Sequence, residues 1–207
     1  MAQFFYVHPE NPQSRLIRQA VELIREGAVI VYPTDSSYAL GCQLGNKAAV
    51  DRIRHIRRID ERHHLTLVCR DLSELGTFAM VDNRQFRLLK AATPGPYTFI
   101  LNATREVPRR LVHPKRQTIG LRVPDHPVVA ALLAELGEPL LSTTLQLPDH
   151  AEPLNDAEQI RDSLEHDVDL ILSAGACEMA VTTVIDLSGR EPELVRQGLG
   201  DATLFGL

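Results

Sequence analysis

The chain has 207 residues, enough for one sizeable hydrophobic core, and a formal net charge of −5. Its hydrophobic fraction of 44% and charged fraction of 24% are those of an ordinary soluble globular protein. The acidic balance excludes a protein that is cationic over its whole surface, although a local basic face could still bind a polyanion. We therefore expect a single domain over residues 1–207.

Three cysteines, Cys42, Cys69 and Cys177, lie far apart and form no CxxC pair. This pattern predicts buried, reduced thiols rather than a disulfide framework or a zinc site. The N-terminal residues show no charged region followed by a long apolar segment, and no apolar run reaches membrane-spanning length. We therefore expect a cytoplasmic protein with no membrane partner.

Apolar periodicity and turn residues predict helices that alternate with strands along the chain. In chain order, the predicted helices cover residues 12–27, 46–59, 71–78, 83–91, 127–136 and 157–166. The predicted strands cover residues 28–32, 65–69, 97–101, 139–143, 168–172, 183–187 and 193–196. Such alternation is typical of an α/β fold with a largely parallel or mixed sheet.

A polar loop follows the first predicted strand. It contains Thr34, Asp35, Ser36, Ser37 and Tyr38. Strand ends that open into such loops are where α/β proteins place ligand contacts. The alternative is a turn whose hydroxyl groups satisfy only their own backbone.

The second predicted helix carries a run of arginines around an isoleucine face, and the first acidic residue after them is Asp60. The run is either a solvated helix face or an anion site, because the guanidinium group binds phosphate and carboxylate in a bidentate way. His63 and His64 are adjacent in the sequence and do not share a helical face, so we do not expect them to form a metal site.

Arg122 lies between apolar residues at a predicted strand position. A nearly buried arginine requires an anionic partner, which is either a structural carboxylate or a ligand carboxylate. Hydroxyl side chains also cluster at residues 142–144 and 182–183, and Arg196 lies on the last predicted strand. The sequence contains neither a GxGxxG turn nor a P-loop motif, and it shows no nucleophile–base pair. These residue types favour the positioning of phosphate groups, as in nucleotide binding or nucleotidyl transfer.

The order of these segments resembles the YrdC/YciO family, and most closely its YciO branch. The matching segments are residues 32–41, 93–98, 118–124, 141–144, 183–187 and 195–198. The resemblance implies a twisted, open α/β sheet with a large electropositive cavity. It also implies threonylcarbamoyl-AMP synthase chemistry, in which L-threonine, bicarbonate and ATP give threonylcarbamoyl-AMP and pyrophosphate for a tRNA modification.

The resemblance also implies two sets of binding residues. L-threonine would be held by Ser36, Tyr38, Arg122 and Ser142, with Arg122 on its carboxylate. ATP, which Mg²⁺ can accompany, would lie along Arg57, Thr118, Thr144, Thr182 and Arg196.

Two positions depart from the motifs of the family synthases. A K-x-R motif is replaced here by Arg57-Arg58-Ile59, and an S-x-N motif by Thr144-Leu145-Gln146. Ile59 removes a charge directed at phosphate, and the side chain of Gln146 is longer than that of asparagine. We therefore expect synthase activity to be weak or altered.

Two alternative functions remain open. In the first, the protein binds double-stranded RNA, tRNA or the ribosome without catalysis, through the basic helix and the segment 108–116. The residues expected to contact RNA are Arg52, Arg54, Arg58, Arg109, Arg110, Lys115 and Arg116. In the second, the same cavity handles an acyl or carbamoyl phosphate.

Overall fold

The computed structural model describes residues 1–60 and 62–207. Within them, six α-helices and ten strands make up the fold. The helices are α1 (Ser14–Arg25), α2 (Lys47–Arg57), α3 (Leu72–Phe78), α4 (Asn83–Ala92), α5 (Pro127–Leu136) and α6 (Ala157–Leu164). The strands are β1 (Gln3–Tyr6), β2 (Ile30–Tyr32), β3 (Ala39–Gln43), β4 (Thr66–Val68), β5 (Tyr97–Asn102), β6 (Thr118–Arg122), β7 (Leu140–Thr144), β8 (Leu170–Ser173), β9 (Thr183–Asp186) and β10 (Glu193–Arg196).

All ten strands belong to one mixed sheet, in the order β1-β8-β2-β3-β7-β4-β6-β5-β9-β10. A row of paired residues crosses its centre: Gly41 lies opposite Ser142, Ser142 opposite Thr66, Thr66 opposite Gly120, and Gly120 opposite Ile100. Paired residues in neighbouring strands project to the same face of a sheet. This row therefore brings small and hydroxyl-bearing residues together on one face.

Helices cover the two faces of the sheet unequally. One core, which includes Leu40 and Leu67, packs beneath helices α2, α3, α4 and α6. The core on the other face includes Tyr32 and Ala39 and packs against α1 and α5. The core under α1 and α5 reaches along the sheet only as far as Val68 on β4. Four residues of the central row, Ser142, Thr66, Gly120 and Ile100, line a cavity.

The mixed α/β sheet predicted from the sequence is confirmed, and α5 and β10 begin and end at the predicted residues. Seven of the ten strands match predicted ranges, and β6 was anticipated only as a strand position at Arg122. The other two strands, β1 and β3, were not predicted. β1 is a partly exposed strand at the edge of the sheet, so its apolar pattern is incomplete. β3 has the sequence ALGCQ, and its Gly41 lowers the strand propensity of the segment. The glycine is needed because neighbouring side chains approach it closely. A Cβ atom at Gly41 would lie 2.7 Å from the side chains of Leu140 and Tyr32.

The three cysteines are free thiols, of which Cys42 and Cys69 are buried. Burial raises the pKa of Cys42 to about 12 and that of Cys177 to about 11. Neither thiol is ionised at neutral pH, so neither is an activated nucleophile. The helices of the described residues are all too short or too polar to cross a lipid bilayer.

Candidate substrate-binding cavity

A cavity of about 270 Å³ lies over the uncovered part of the sheet. Its floor carries the hydroxyl groups of Thr66, Thr98, Ser142, Thr143, Thr144 and Thr182. Its cationic and imidazole groups come from Arg57, Arg62, His63, His64, Arg122 and Arg196. No carboxylate is among the described residues that line it. Hydroxyl donors and guanidinium groups without lining acids are suited to binding an anion.

The end of α2 places Arg57 at this cavity. Asn46 caps the start of the helix, since its side chain accepts a hydrogen bond of 3.0 Å from the Ala49 N–H. The helix ends at Arg58, which adopts a left-handed backbone conformation with φ of 49°. This turn leaves Arg57 on the cavity side and directs Ile59 against the hydrophobic core.

Three arginines of the cavity influence one another. Burial and the nearby charge of Arg196 lower the pKa of Arg57. Burial and the charge of Arg122 in turn lower the pKa of Arg196. Partly desolvated cations that repel one another are stabilised by a bound anion, which offsets both effects. The electrostatics of the cavity therefore favour a ligand with several negative charges.

Arg122 already has a carboxylate partner within the protein. Its Nη2 atom pairs with Asp35, and the side chains of Arg122 and Asp35 are only 8% and 9% exposed. Asp35 also accepts a hydrogen bond of 2.8 Å from the Asp125 N–H. Of the two partners left open by the sequence, the structural carboxylate is the one observed. The Nε of Arg122 is buried and has no hydrogen-bond partner among the described residues.

Buried hydrogen bonds fix the hydroxyl groups of the floor. The Oγ of Ser142 lies 2.6 Å from the Tyr32 hydroxyl and donates to the Leu40 carbonyl at 3.0 Å. Burial raises the pKa of Tyr32 to about 12, so its hydroxyl stays protonated at neutral pH. These bonds set the direction of the Ser142 side chain before any ligand binds.

A second group of floor residues is arranged around Thr182. Its Oγ1 lies 2.8 Å from the Oγ1 of Thr98. The Nη2 of Arg196 donates to the Thr182 carbonyl oxygen at 3.0 Å and to its hydroxyl oxygen at 3.2 Å. Strand β10 therefore holds the Arg196 guanidinium against the cavity wall.

Three residues expected to bind ligand do not line the cavity. Ser36 is buried in the polar loop, 3.2 Å from the Thr34 hydroxyl. The Tyr38 hydroxyl donates to the carbonyl oxygen of Gly175. Thr118 is buried, and its Oγ1 lies 3.0 Å from the Nε2 of His64, which does line the cavity. Their roles in binding threonine or ATP stay predictions.

Three arginines in α2 and at its C-terminal cap were expected to contact RNA, and each has an acidic partner in the fold. The pairs are Arg52 with Asp169 at 2.8 Å, Arg54 with Asp51 at 4.0 Å, and Arg58 with Asp149 at 3.6 Å. Three arginines of the run therefore have acids beside them in the fold, whereas Arg57 forms no ion pair with the described residues. The contribution of the run to RNA binding stays a prediction.

The basic segment 108–116 lies on the surface. Arg116 pairs with Asp186 at 3.4 Å, and Arg110 donates to the carbonyl oxygen of Gly45. Arg109 and Lys115 are exposed, and their side chains form no hydrogen bond or ion pair with the described residues. These two are the predicted RNA contacts whose charges are most available to a partner.

Comparison with known proteins decides the family. The Sua5/YciO/YrdC family model, whose description is "Telomere recombination", matches residues 22–198. The chain belongs to the Sua5/YciO/YrdC family. The resemblance found in the sequence is thereby confirmed.

Three relatives place the chain within the Sua5/YciO/YrdC family. YciO of Escherichia coli is 57% identical, covering 99% of this chain and all of that protein, and its crystal structure superposes with a TM-score of 0.97. A threonylcarbamoyl-AMP synthase of Vibrio vulnificus is 32% identical over 185 residues, or 88% of this chain and 98% of the synthase. Sua5 of P. abyssi, in complex with L-threonine, is 25% identical with a TM-score of 0.86, covering 94% of this chain and 57% of Sua5.

The two departures from the motifs of the family synthases have structural counterparts. Ile59 is half-buried and packs against the hydrophobic core, so this position presents no cation to the cavity. Gln146 lines the cavity, but its Nε2 donates to the carbonyl oxygen of Ala151 at 3.0 Å. Both side chains are therefore held by contacts within the protein.

The lining residues that were not assigned to the site from the sequence include Arg62, His63, His64, Thr66, Thr98 and Thr143. Thr66 and Thr98 could have been found from one signal, since each places a hydroxyl group in an otherwise apolar strand. No group of His, Cys, Asp and Glu side chains in the described part of the chain is arranged to hold a metal ion.

Proposed function

We propose that the cavity binds ATP together with L-threonine or a similar amino acid, and that it supports weak threonylcarbamoyl-AMP synthase chemistry. The single observation that carries this proposal is the set of guanidinium groups from Arg57, Arg122 and Arg196 above a floor of hydroxyl groups. A polyphosphate supplies the several negative charges that such a site requires. The synthases of the same family supply the choice of reaction.

The two ends of the cavity suit the two substrates. Arg57 and Arg196, with the Thr182 hydroxyl, form the cationic end, where phosphates would bind. Arg122 and Ser142 form the other end, where the Arg122 guanidinium would bind an amino-acid carboxylate. The Ser142 oxygen, whose own proton goes to the Leu40 carbonyl, would accept a hydrogen bond from the ammonium or hydroxyl group of the amino acid. Asp35 neutralises the guanidinium charge in part, so the carboxylate contact would be a hydrogen bond rather than a full ion pair.

The proposed reaction joins three substrates. The nitrogen of threonine takes up bicarbonate to form a carbamate and release water. The carbamate oxygen then attacks the α-phosphorus of ATP, a P–O bond forms, and the bond to pyrophosphate breaks. The arginines would stabilise the charge that collects on the leaving pyrophosphate. Mg²⁺, if required, would arrive with ATP as part of the substrate.

Slow turnover follows from the residue that replaces the second basic position. Ile59 packs against the core, so the leaving pyrophosphate would lack one stabilising cation. A missing charge-assisted hydrogen bond in a dry site reduces turnover by roughly 10²–10³-fold. Binding would be reduced less than catalysis, because the other arginines remain.

The direct test is release of pyrophosphate from ATP and bicarbonate, with and without L-threonine. The matched variant is Thr182→Val, which removes one hydroxyl group of the floor but keeps its shape. Threonine-dependent release that falls in Thr182→Val supports the proposal. Release that does not depend on threonine favours an acyl or carbamoyl phosphate substrate. No release, combined with no binding of ATP, overturns the proposal.

RNA binding is a second candidate function, favoured by the exposed side chains of Arg109 and Lys115 in the basic segment 108–116. Such charges would contact phosphates, so affinity would fall steeply with salt. The test is binding of a tRNA and of a double-stranded RNA at several salt concentrations, with Arg109→Gln/Lys115→Gln as the variant. Binding with the same salt dependence in both proteins would exclude these residues as the contact.

A further inference from the structure

His63 is an imidazole at the cavity that is not committed to a contact within the described residues. Its neighbour His64 also lines the cavity, but the Nε2 of His64 lies 3.0 Å from the Thr118 hydroxyl and its ring stacks on His113 at 4.9 Å. The side chain of His63 forms no hydrogen bond with the described part of the chain, and it is exposed. It is therefore free to contact a ligand.

The charged groups around His63 come from three elements. Arg57 lies at the end of α2, Asp60 and Arg62 lie in the loop that follows, and Arg196 lies on β10. Partial burial and the charges of Arg57 and Arg196 lower the pKa of His63 from 6.5, and Asp60 opposes them. Among the described residues, cations therefore dominate its surroundings, and the imidazole is mostly neutral at pH 7.

We propose that His63 is a phosphate-contacting residue, and that it takes up a proton when a polyphosphate occupies the cavity. This inference rests on the proposed function. Ile59 leaves the phosphate end of the cavity without a third cation. That role is assigned to His63, four positions further along the chain.

The physical reason is that a bound polyphosphate changes the sign of the electrostatic potential around His63. In the free protein, Arg57 and Arg196 disfavour a further positive charge. Phosphate groups bound between these arginines reverse the local potential, which favours the protonated imidazole and a charge-assisted hydrogen bond. Binding of polyphosphate and protonation of His63 then strengthen each other. Affinity would increase as the pH falls from 8 to 6.

The test measures ATP binding by calorimetry at pH 6, 7 and 8, in two buffers of different ionisation enthalpy, at one low salt concentration. Four proteins are compared: the wild type, His63→Gln, His63→Lys and the control His166→Gln. His166 is exposed at the end of α6, where it pairs with Glu165, so it controls for loss of a histidine. ATP itself also titrates in this range, so the deciding quantity is the difference between proteins in the number of protons taken up.

At pH 6, His63→Gln should bind ATP about two- to fivefold more weakly than the wild type, the range of an exposed charge pair, and should take up fewer protons. At pH 8 the two proteins should bind almost equally. His63→Lys should keep the higher affinity at pH 8, because its charge does not titrate there. His166→Gln should match the wild type.

Equal proton uptake by the wild type and His63→Gln, with ATP bound by both, would overturn the role of His63 and leave the proposed function standing. No binding of ATP by the wild type at any of the three pH values would overturn both. The two failures are thus distinguishable in one set of titrations.

Discussion

Arg122 and Asp35 form a buried ion pair that joins the polar loop after β2 to the end of β6. Asp35 also accepts a hydrogen bond from the Asp125 N–H, so a single carboxylate connects the polar loop to two points of the segment 122–125. The pair fixes the position of Arg122 at one end of the cavity. Its integrity is therefore a condition for the site as well as for the fold.

The change Asp35→Asn should destabilise the protein strongly. Removal of one partner leaves the Arg122 charge buried and uncompensated, which costs about 3–5 kcal/mol of unfolding free energy. Urea unfolding measures it. The control is Glu191→Gln, which removes the partner of Arg84 in an exposed pair and should have a far smaller effect. Similar losses of unfolding free energy in the two variants would show that the buried Arg122–Asp35 pair stabilises the fold no more than an exposed pair does.

The change Arg57→Met should stabilise the protein in the absence of anions. Arg57 is partly desolvated and repelled by Arg196, so a neutral side chain of similar length relieves both costs. We expect the melting temperature to rise by about 2–4 °C, equivalent to roughly 1 kcal/mol for a domain of this size. Differential scanning calorimetry in a buffer without phosphate or sulfate measures it. A lower melting temperature would show that Arg57 is held by favourable contacts instead.

The change Gly198→Ala should disturb the cavity through Thr182. A Cβ atom at Gly198 would lie 2.3 Å from the Val181 carbonyl oxygen and 2.4 Å from the Thr182 carbonyl carbon. The backbone must shift, at a cost of about 1–3 kcal/mol, and Thr182 would shift with it. The free energy of unfolding, measured with urea, and the affinity for ATP should both fall.

A matched control for Gly198 is available in α3. A Cβ atom at Gly76 meets nothing within 4 Å. Because glycine is unfavourable inside a helix, Gly76→Ala should stabilise the protein by about 0.5–1 kcal/mol and leave ATP binding unchanged. Equal effects of the two substitutions would contradict the steric account of Gly198.

Stability should fall as the pH drops below about 6.5. Burial lowers the pKa of His126 from its ordinary value of 6.5, with a smaller contribution from the Arg122 charge, while Asp35 and Asp125 oppose the change. The unfolded chain therefore binds a proton at a higher pH than the folded protein, and this favours unfolding as the pH falls. His126→Asn keeps a helix-capping acceptor for the Val128 N–H without the titration.

Urea unfolding at pH 7.5 and pH 5.5 would measure this effect. The loss of stability between the two values should be smaller for His126→Asn than for the wild type. An equal loss in the two proteins would exclude His126 as a contributor.

The helices could be predicted because their signals are local. Asp71 and Asp82 each cap a helix by accepting a backbone N–H three positions later. Helix α5 starts at a proline and is followed by Gly137 in the left-handed conformation, which is typical of helix ends. The edge strand β1 and the small-residue strand β3 depend instead on distant partners, so the sequence pattern does not reveal them.

The site could be predicted only in part, for the same reason. The resemblance to the family pointed to Arg57, Arg122, Ser142, Thr144, Thr182 and Arg196, which the fold brings together in the cavity. The ion-pair partners of other arginines could not be predicted from neighbours in the sequence. The partner of Arg52, for example, lies 117 positions further along the chain.

The most direct test of the account is the titration of the wild type and Arg57→Met with ATP, followed by calorimetry. The account predicts that the wild type binds ATP and that Arg57→Met, although at least as stable, binds it about tenfold more weakly, the value of a charge-assisted hydrogen bond of about 1.4 kcal/mol. Equal affinity in the two proteins would contradict the claim that Arg57 and the cavity it lines form the phosphate site. Absence of binding by the wild type would contradict the proposed function itself.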